Sequence, residues 1–180
     1  YSHTNIAYDS SFTVGTNNLT KTSINGNVYT VTFNTNKPSS ASGTPSVSPT
    51  SKTSTQTISY TANGWNTNSG GTGTAIASGA SKSNLRNTAG TYDLYAVFTT
   101  NTGAQPAVTG FPTPTLTGWT FGGWFTDSGC TGTAITTITP TGNTTLYAKW
   151  TANTYQVAYN SNGGTGTMAN STFTYDVSGN

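Results

Sequence analysis

Residues 64–76 read GWNTNSGGTGTAI and residues 123–135 read GWFTDSGCTGTAI, one pattern laid down twice without a gap. Each block is followed by a variable stretch and then by an alternating run, DLYAVF at 93–98 in one case and TLYAKW at 145–150 in the other. Upstream of the first block stands YTVTFNTN at 29–36, and YQVAYNSN at 155–162 repeats it. Side chains in a strand point alternately to two faces, and tight turns need residues that accept positive φ, so alternation bounded by Asn and Gly reads as strands joined by turns. Recurrence every 50 to 70 residues or so reads as a tandem array of small units. The sequence thus divides into a partial N-terminal strand segment at 1–28, a first repeat unit at 29–100, a shortened second unit at 101–152 and the opening hairpin of a further unit at 153–180. Between Phe98 and Trp119 no good copy of the opening strand is found, only a stretch holding Pro106, Pro112 and Pro114. That strand is either degenerate, or the second unit does without it.

Composition supports strands over helices and folding over disorder. Thr, Ser, Asn and Gly number 42, 20, 19 and 21, more than half of the 180 residues, and no apolar series is sustained at helical spacing. The hydrophobic fraction of 32% predicts thin cores, yet 10 Tyr, 7 Phe and 4 Trp spread along the chain supply side chains that a disordered segment lacks. The expected class is all-β, or β-rich α+β, with at most one short helix per unit. With six basic residues scattered as Lys21, Lys37, Lys52, Lys82, Arg86 and Lys149, there is no patch for nucleic acid. No run is apolar and long enough to insert in a membrane within this segment. A charged fraction of 6% and a lone cysteine, Cys130, predict an extracellular bacterial or archaeal setting without intrachain disulfides. Starting at Tyr1, the chain reads as a mature or excised portion of something longer.

The run GWTFGGWFTDSGC at 118–130, closed by TLYAKW at 145–150, resembles the signature of the Listeria–Bacteroides repeat, also called the internalin B-repeat, and so does YQVAYNSNGGTGTM at 155–168. In pieces the resemblance covers 29–180. It implies small units of ubiquitin-like or β-grasp-like character, or small sandwiches, found in tandem in secreted and wall-attached bacterial proteins as spacers or adhesion-associated modules. The first unit departs from the pattern. It carries a Pro- and Ser-rich insertion at 37–55 in place of a Gly-Gly turn, and it lacks the aromatic-Gly pair before Trp65. Residues 37–49 are expected to form an exposed loop.

For chemistry the residues offer little. His3 is the single histidine and has no acidic neighbour in sequence, while Asp9, Asp93, Asp127 and Asp176 are dispersed, so no catalytic residues, metal ligands or cofactor-binding residues are assigned and no cofactor is expected. Cys130 takes the place of Gly71 in the first block and reads as a small buried side chain, with a reactive thiol as the alternative. Lys149 alternates out of phase with Leu146, Ala148 and Trp150, which argues against an internal isopeptide bond. Asn18, Asn143 and Asn170 fit the glycosylation pattern, as chance alone would arrange in a chain so rich in Asn and Thr.

Two functions remain in view. The first is a non-catalytic structural or adhesive repeat protein of the cell surface, serving as a stalk or as the subunit of a fibre. The second is a carbohydrate-binding module that stacks sugars on Trp119, Trp124 and Trp150; recurrence of these rings at fixed places in each unit argues that they are core instead. Expected partners are the chain itself, neighbouring repeats, or glycans and other cell-surface components. The candidate assembly surface is the terminal hairpin with Tyr155, Val157, Tyr159, Phe173 and Tyr175, because two isolated strands are marginal in water and expose both apolar side chains and backbone edges. It is expected to add strands to the N-terminal part of a second copy, around residues 6–14, in a head-to-tail fibre, or to meet neighbouring repeats of a longer array.

Overall fold

A computed structural model of the chain describes residues 2–3, 11–14, 19–83 and 91–176. Most of the strand-like run at 5–14, together with Asp9, Asn18 and Arg86, lies outside the described residues. In chain order the strands are β1 (Ser2–His3), β2 (Ser11–Thr13), β3 (Ile24–Asn34), β4 (Ser51–Asn66), β5 (Ala75–Ile76) and β6 (Ser81–Ser83). They continue as β7 (Tyr92–Asp93), β8 (Tyr95–Thr102), β9 (Trp119–Phe125), β10 (Thr144–Ala152), β11 (Thr154–Val157) and β12 (Ser171–Thr174). No helix occurs among the described residues, so the protein is all-β. The chain forms two compact units, and neither is a continuous stretch of sequence. Unit one combines Tyr1–Gly26 with Gln56–Ala104, and unit two combines Asn27–Thr55 with Gln105–Asn180.

Unit two is built around β10. On one side β10 runs antiparallel to β9, with Ala148 opposite Trp124 and Trp150 opposite Phe121 across a bulge. On its other side it runs parallel to β3, Thr144 opposite Val31 and Leu146 opposite Phe33. The second sequence repeat therefore does not lack an opening strand: residues at the head of the first repeat, Val31–Asn34, serve it. Alternation sends Val31, Phe33, Leu146 and Ala148 to one face, where they bury against Trp124 and Val108. The Pro-rich stretch contributes to this core. Val108 pairs with Ile138 across an isolated bridge, and Phe111 sets its ring edge-on to Phe33 at 5.4 Å between centroids.

Unit one repeats the same arrangement with different neighbours. Here β4 lies between β5 and β8, Trp65 opposite both Ile76 and Ala96, and a bulge separates that pair from Ala62–Phe98. In unit two Trp124 faces Ile135 and Ala148 in the same manner, and the bulge recurs before Phe121–Trp150. The two tryptophans thus occupy equivalent places, as their matching flanks require. The glycine before each is obligatory: Gly64 has φ +97° and Gly123 φ +109°, and an added Cβ would lie 2.6 Å from the Ile76 carbonyl oxygen or 2.5 Å from the Ala134 Cβ. Val14, Trp65, Ile76 and Leu94 make the core of this unit.

Two expectations about strand limits change. β3 starts at Ile24, five residues before the alternating run, and there Ile24 and Val28 remain half-exposed. In the insertion, residues 37–50 form a mostly exposed loop, although Ala41 is buried and Ser46 makes a bridge with Thr115. Its last residues, Ser51–Thr55, belong to β4. They can do so because Ser54, though polar and buried, accepts a 2.7 Å hydrogen bond from the Gln105 amide.

Candidate functional site

Phe33, Phe111, Phe121, Trp124 and Trp150 of unit two converge on one cluster. Phe33 lies 5.0 Å from Trp124 between ring centroids, Phe121 5.5 Å from Trp124, and Phe121 5.7 Å from Trp150. These are the tilted and edge-to-face geometries that aromatic rings favour. Trp124 is 2% exposed and donates its indole N–H to the Pro112 carbonyl, so it has no face on which a sugar could stack. Trp150 is half-buried and donates to the Thr35 carbonyl at 2.7 Å. Trp119 is half-buried as well, its indole N–H directed at Asp176 at 3.3 Å. An apolar groove of about 350 Å3, bounded by Phe111, Pro112, Phe121 and Ile135, opens beside this cluster.

The hairpin of β11 and β12 pairs Thr154 with Thr174 and Val157 with Ser171. Tyr155, Val157, Tyr159 and Phe173 are exposed by 42–51%, and Tyr175 is half-buried. The hairpin is tethered at its far end. Tyr175 lies against the Gly118 backbone, where any added Cβ would strike the ring, and its N–H donates to the Asn153 carbonyl. Asp176 accepts from the Ser42 backbone N–H at 2.9 Å, from the Ser42 hydroxyl at 2.8 Å and from Trp119. The bond from the Ser42 N–H holds this carboxyl below its usual range; burial, next in size, opposes it, and the Ser42 hydroxyl, the Trp119 indole and the charge of Lys37 add to the lowering.

Asp127 accepts from the Thr131 N–H and hydroxyl at 3.2 Å, and the corresponding turn of unit one is organised by Asn66, which accepts from Asn68 and Gly73 N–H groups. Cys130 is buried with φ +52°, and Gly71 in the matching position of unit one has φ +76°. Hence the position selects for a left-handed backbone as well as for small size, which the residue types alone did not separate. Burial raises the Cys130 thiol above its ordinary value; the Asn36 amide and Lys149 oppose the rise, and Asp127 adds to it. Lys149 is exposed, with its ammonium 5.3 Å from the centre of the Phe125 ring. Among the described residues no three His, Cys, Asp or Glu side chains come together to hold a metal ion. His3 lies in β1, which pairs with β7.

Asn36, whose type places it in a turn, also joins the edges of unit two. Its side-chain amide donates to the carbonyls of Ser128 at 3.0 Å and Ala148 at 3.2 Å, and its own N–H donates to the Asn34 side chain. The same turn recurs in the hairpin, with Asn162 N–H donating to the Asn160 side chain and both Asn36 and Asn162 at φ +46°. Only the shared Asn-x-Asn spacing after each opening strand pointed to this in sequence.

The Listeria-Bacteroides repeat domain matches the chain twice, at residues 29–97 and at 96–149. The chain belongs to the Listeria–Bacteroides repeat family. Both matches of the repeat include a Trp block and a closing strand, the elements whose register is shared by the two compact units. Repeats of this family are generally found in extracellular or surface proteins of bacteria. No curated protein and no solved structure matches the chain.

Proposed function

We propose that this chain is a non-catalytic extracellular structural repeat protein, acting as a spacer of the bacterial cell surface or as the subunit of a surface fibre. The observation that supports this reading is the fate of the recurring aromatics. Trp65 and Trp124 hold the same register in the two units and are buried in each, so the recurring aromatics of the Trp block serve to make cores. A spacer needs independent small cores in series and a hydrated exterior, and here Thr, Ser and Asn supply that exterior with hardly any charge.

A second reading, a carbohydrate-binding module, is favoured by the groove bounded by Phe111 and Phe121 and by the half-buried rings of Trp119 and Trp150. The two are separated by a glycan array. The structural reading expects no polysaccharide to be retained at micromolar protein. Micromolar binding that disappears in Trp119→Ala or Phe121→Ala would replace it with the module.

A further inference from the structure

We propose that the parallel pair of β3 and β10 is a mechanical clamp, the joint through which unit two carries tension along the chain. Within unit two, β3 brings the chain in at Asn27 and β10 takes it on to Ala152. These two strands lie side by side and run the same way, with Val31, Thr32, Phe33 and Asn34 opposite Thr144, Thr145, Leu146 and Tyr147. A pull toward the N-terminus on β3 and toward the C-terminus on β10 therefore draws two neighbours past each other along their own axes. The backbone bonds of a parallel pair reach from strand to strand across that direction, so they take the load together and none can open ahead of the rest.

Side-chain bonds lengthen the clamp at both ends. At its start the Thr30 N–H donates to the Asn143 side chain at 2.9 Å, a contact between residues 113 positions apart. At its far end the Asn36 amide donates to the Ala148 carbonyl at 3.2 Å and the Trp150 indole to the Thr35 carbonyl at 2.7 Å. On one face of the ladder, Val31 and Leu146 are 0% exposed, and Phe33 and Ala148 are buried beside them. Water is thus kept from that side of the loaded bonds, where it would otherwise replace each partner as it parts.

Residues 35–143, among them the second segment of unit one at 56–104, lie between the two strands in sequence. Tension that crosses the ladder from β3 to β10 bypasses them for as long as the ladder holds. The terminal hairpin has the opposite geometry. β11 and β12 are antiparallel, and Thr154 and Thr174 stand at the end where the chain enters and leaves, so a load applied there parts this pair first and the remaining pairs in turn. Unit two therefore holds one joint that yields pair by pair and one that must fail at once, and the second is the one whose side chains form the core.

This clamp rests on the reading of the chain as a structural spacer, and pulling one protein in two directions tests it. Forced unfolding is governed by the barrier to leaving the native state, so two directions compared on one fold isolate the geometry of loading. In the full chain carrying Cys130→Gly, handles on Val28→Cys and Thr151→Cys load the pair lengthwise. Handles on Val28→Cys and Thr141→Cys, which stand three residues before Val31 and Thr144, pull the two strands apart from one end. All three handle positions are exposed. The lengthwise pull is expected to need several times the force of the peeling pull at the same speed. Asn36→Gly accepts the backbone at φ +46° and removes the amide, so it is expected to lower the lengthwise force and leave the peeling force unchanged, because peeling starts at the other end. Equal forces in the two directions overturn the clamp, as does an Asn36→Gly variant weakened alike in both. Equal forces in a protein that retains no glycan overturn the clamp alone and leave the spacer standing, whereas glycan binding removes the spacer reading whatever the forces.

Discussion

Cys130 illustrates how one position in a turn carries two requirements. The backbone there is left-handed, at φ +52°, and the side chain is buried against the carbonyls of Tyr147 and Ala148. Gly71, at φ +76°, meets the first requirement and has no side chain to bury. Cys130→Gly is therefore expected to unfold within about 1 kcal/mol of the parent, since lost sulfur contacts and added chain entropy are offset by relief at positive φ. Cys130→Val, which puts a branched side chain on that backbone, is expected to cost roughly 1–3 kcal/mol. Urea denaturation followed by tryptophan fluorescence measures both, and equal midpoints for the two variants would contradict the account. Burial also raises the thiol, so alkylation of the native protein at pH 8 should be slow against a free thiol and become fast on unfolding.

At the level of elements, the bulged pairs and the hairpin tether are the features to test. Gly123→Ala would force a Cβ to within 2.5 Å of Ala134 on a backbone at φ +109°, so the contact between β9 and the Ala134–Ile135 segment must open. A loss of roughly 1–3 kcal/mol is expected, with Gly64→Ala behaving alike against the Ile76 carbonyl. The tether of the hairpin has a pH dependence whose sign is set by Asp176. Its carboxyl is lowered in the folded state, so the docking contributes above the unfolded value near about 4 and is lost as pH falls through the lower folded value. The Trp119 signal should stay constant from pH 8 to about 5 and change only below about 4. Asp176→Asn should abolish that transition; its persistence in the variant would assign it to another group. The turn residues and the alternating strands were legible in sequence because their rules are local: period two for a strand, Asn or Gly for positive φ. β4 was not legible in full, because its first residues, Ser51–Thr55, have loop composition and are held as a strand by Gln105, which lies far away in sequence.

For the whole molecule, charge contributes little to stability. With six basic and four acidic side chains in 180 residues, the thermal midpoint is expected to move by less than about 2 °C between about 0.05 M and 1 M salt. A fall of many degrees on adding salt would reveal an ion-pair network that this composition does not predict. The sequence by itself determined the all-β class, the two copies of the Trp block and the burial of Trp65 and Trp124 in cores, because each depends on residue type and spacing along the chain. Which opening strand serves which closing strand was decided only by tertiary structure. Parallel partners are joined by long crossovers, and the closing strands at 93–98 and 145–150 offer nearly the same Leu-Tyr-Ala face to Val31 and Phe33. β3 pairs with the second of these, where Val108, Phe111 and Ile138 complete the pocket around Phe33 and Trp124, and Val14 fills the core of unit one instead. That choice depends on side chains brought together from across the fold, which no local pattern records.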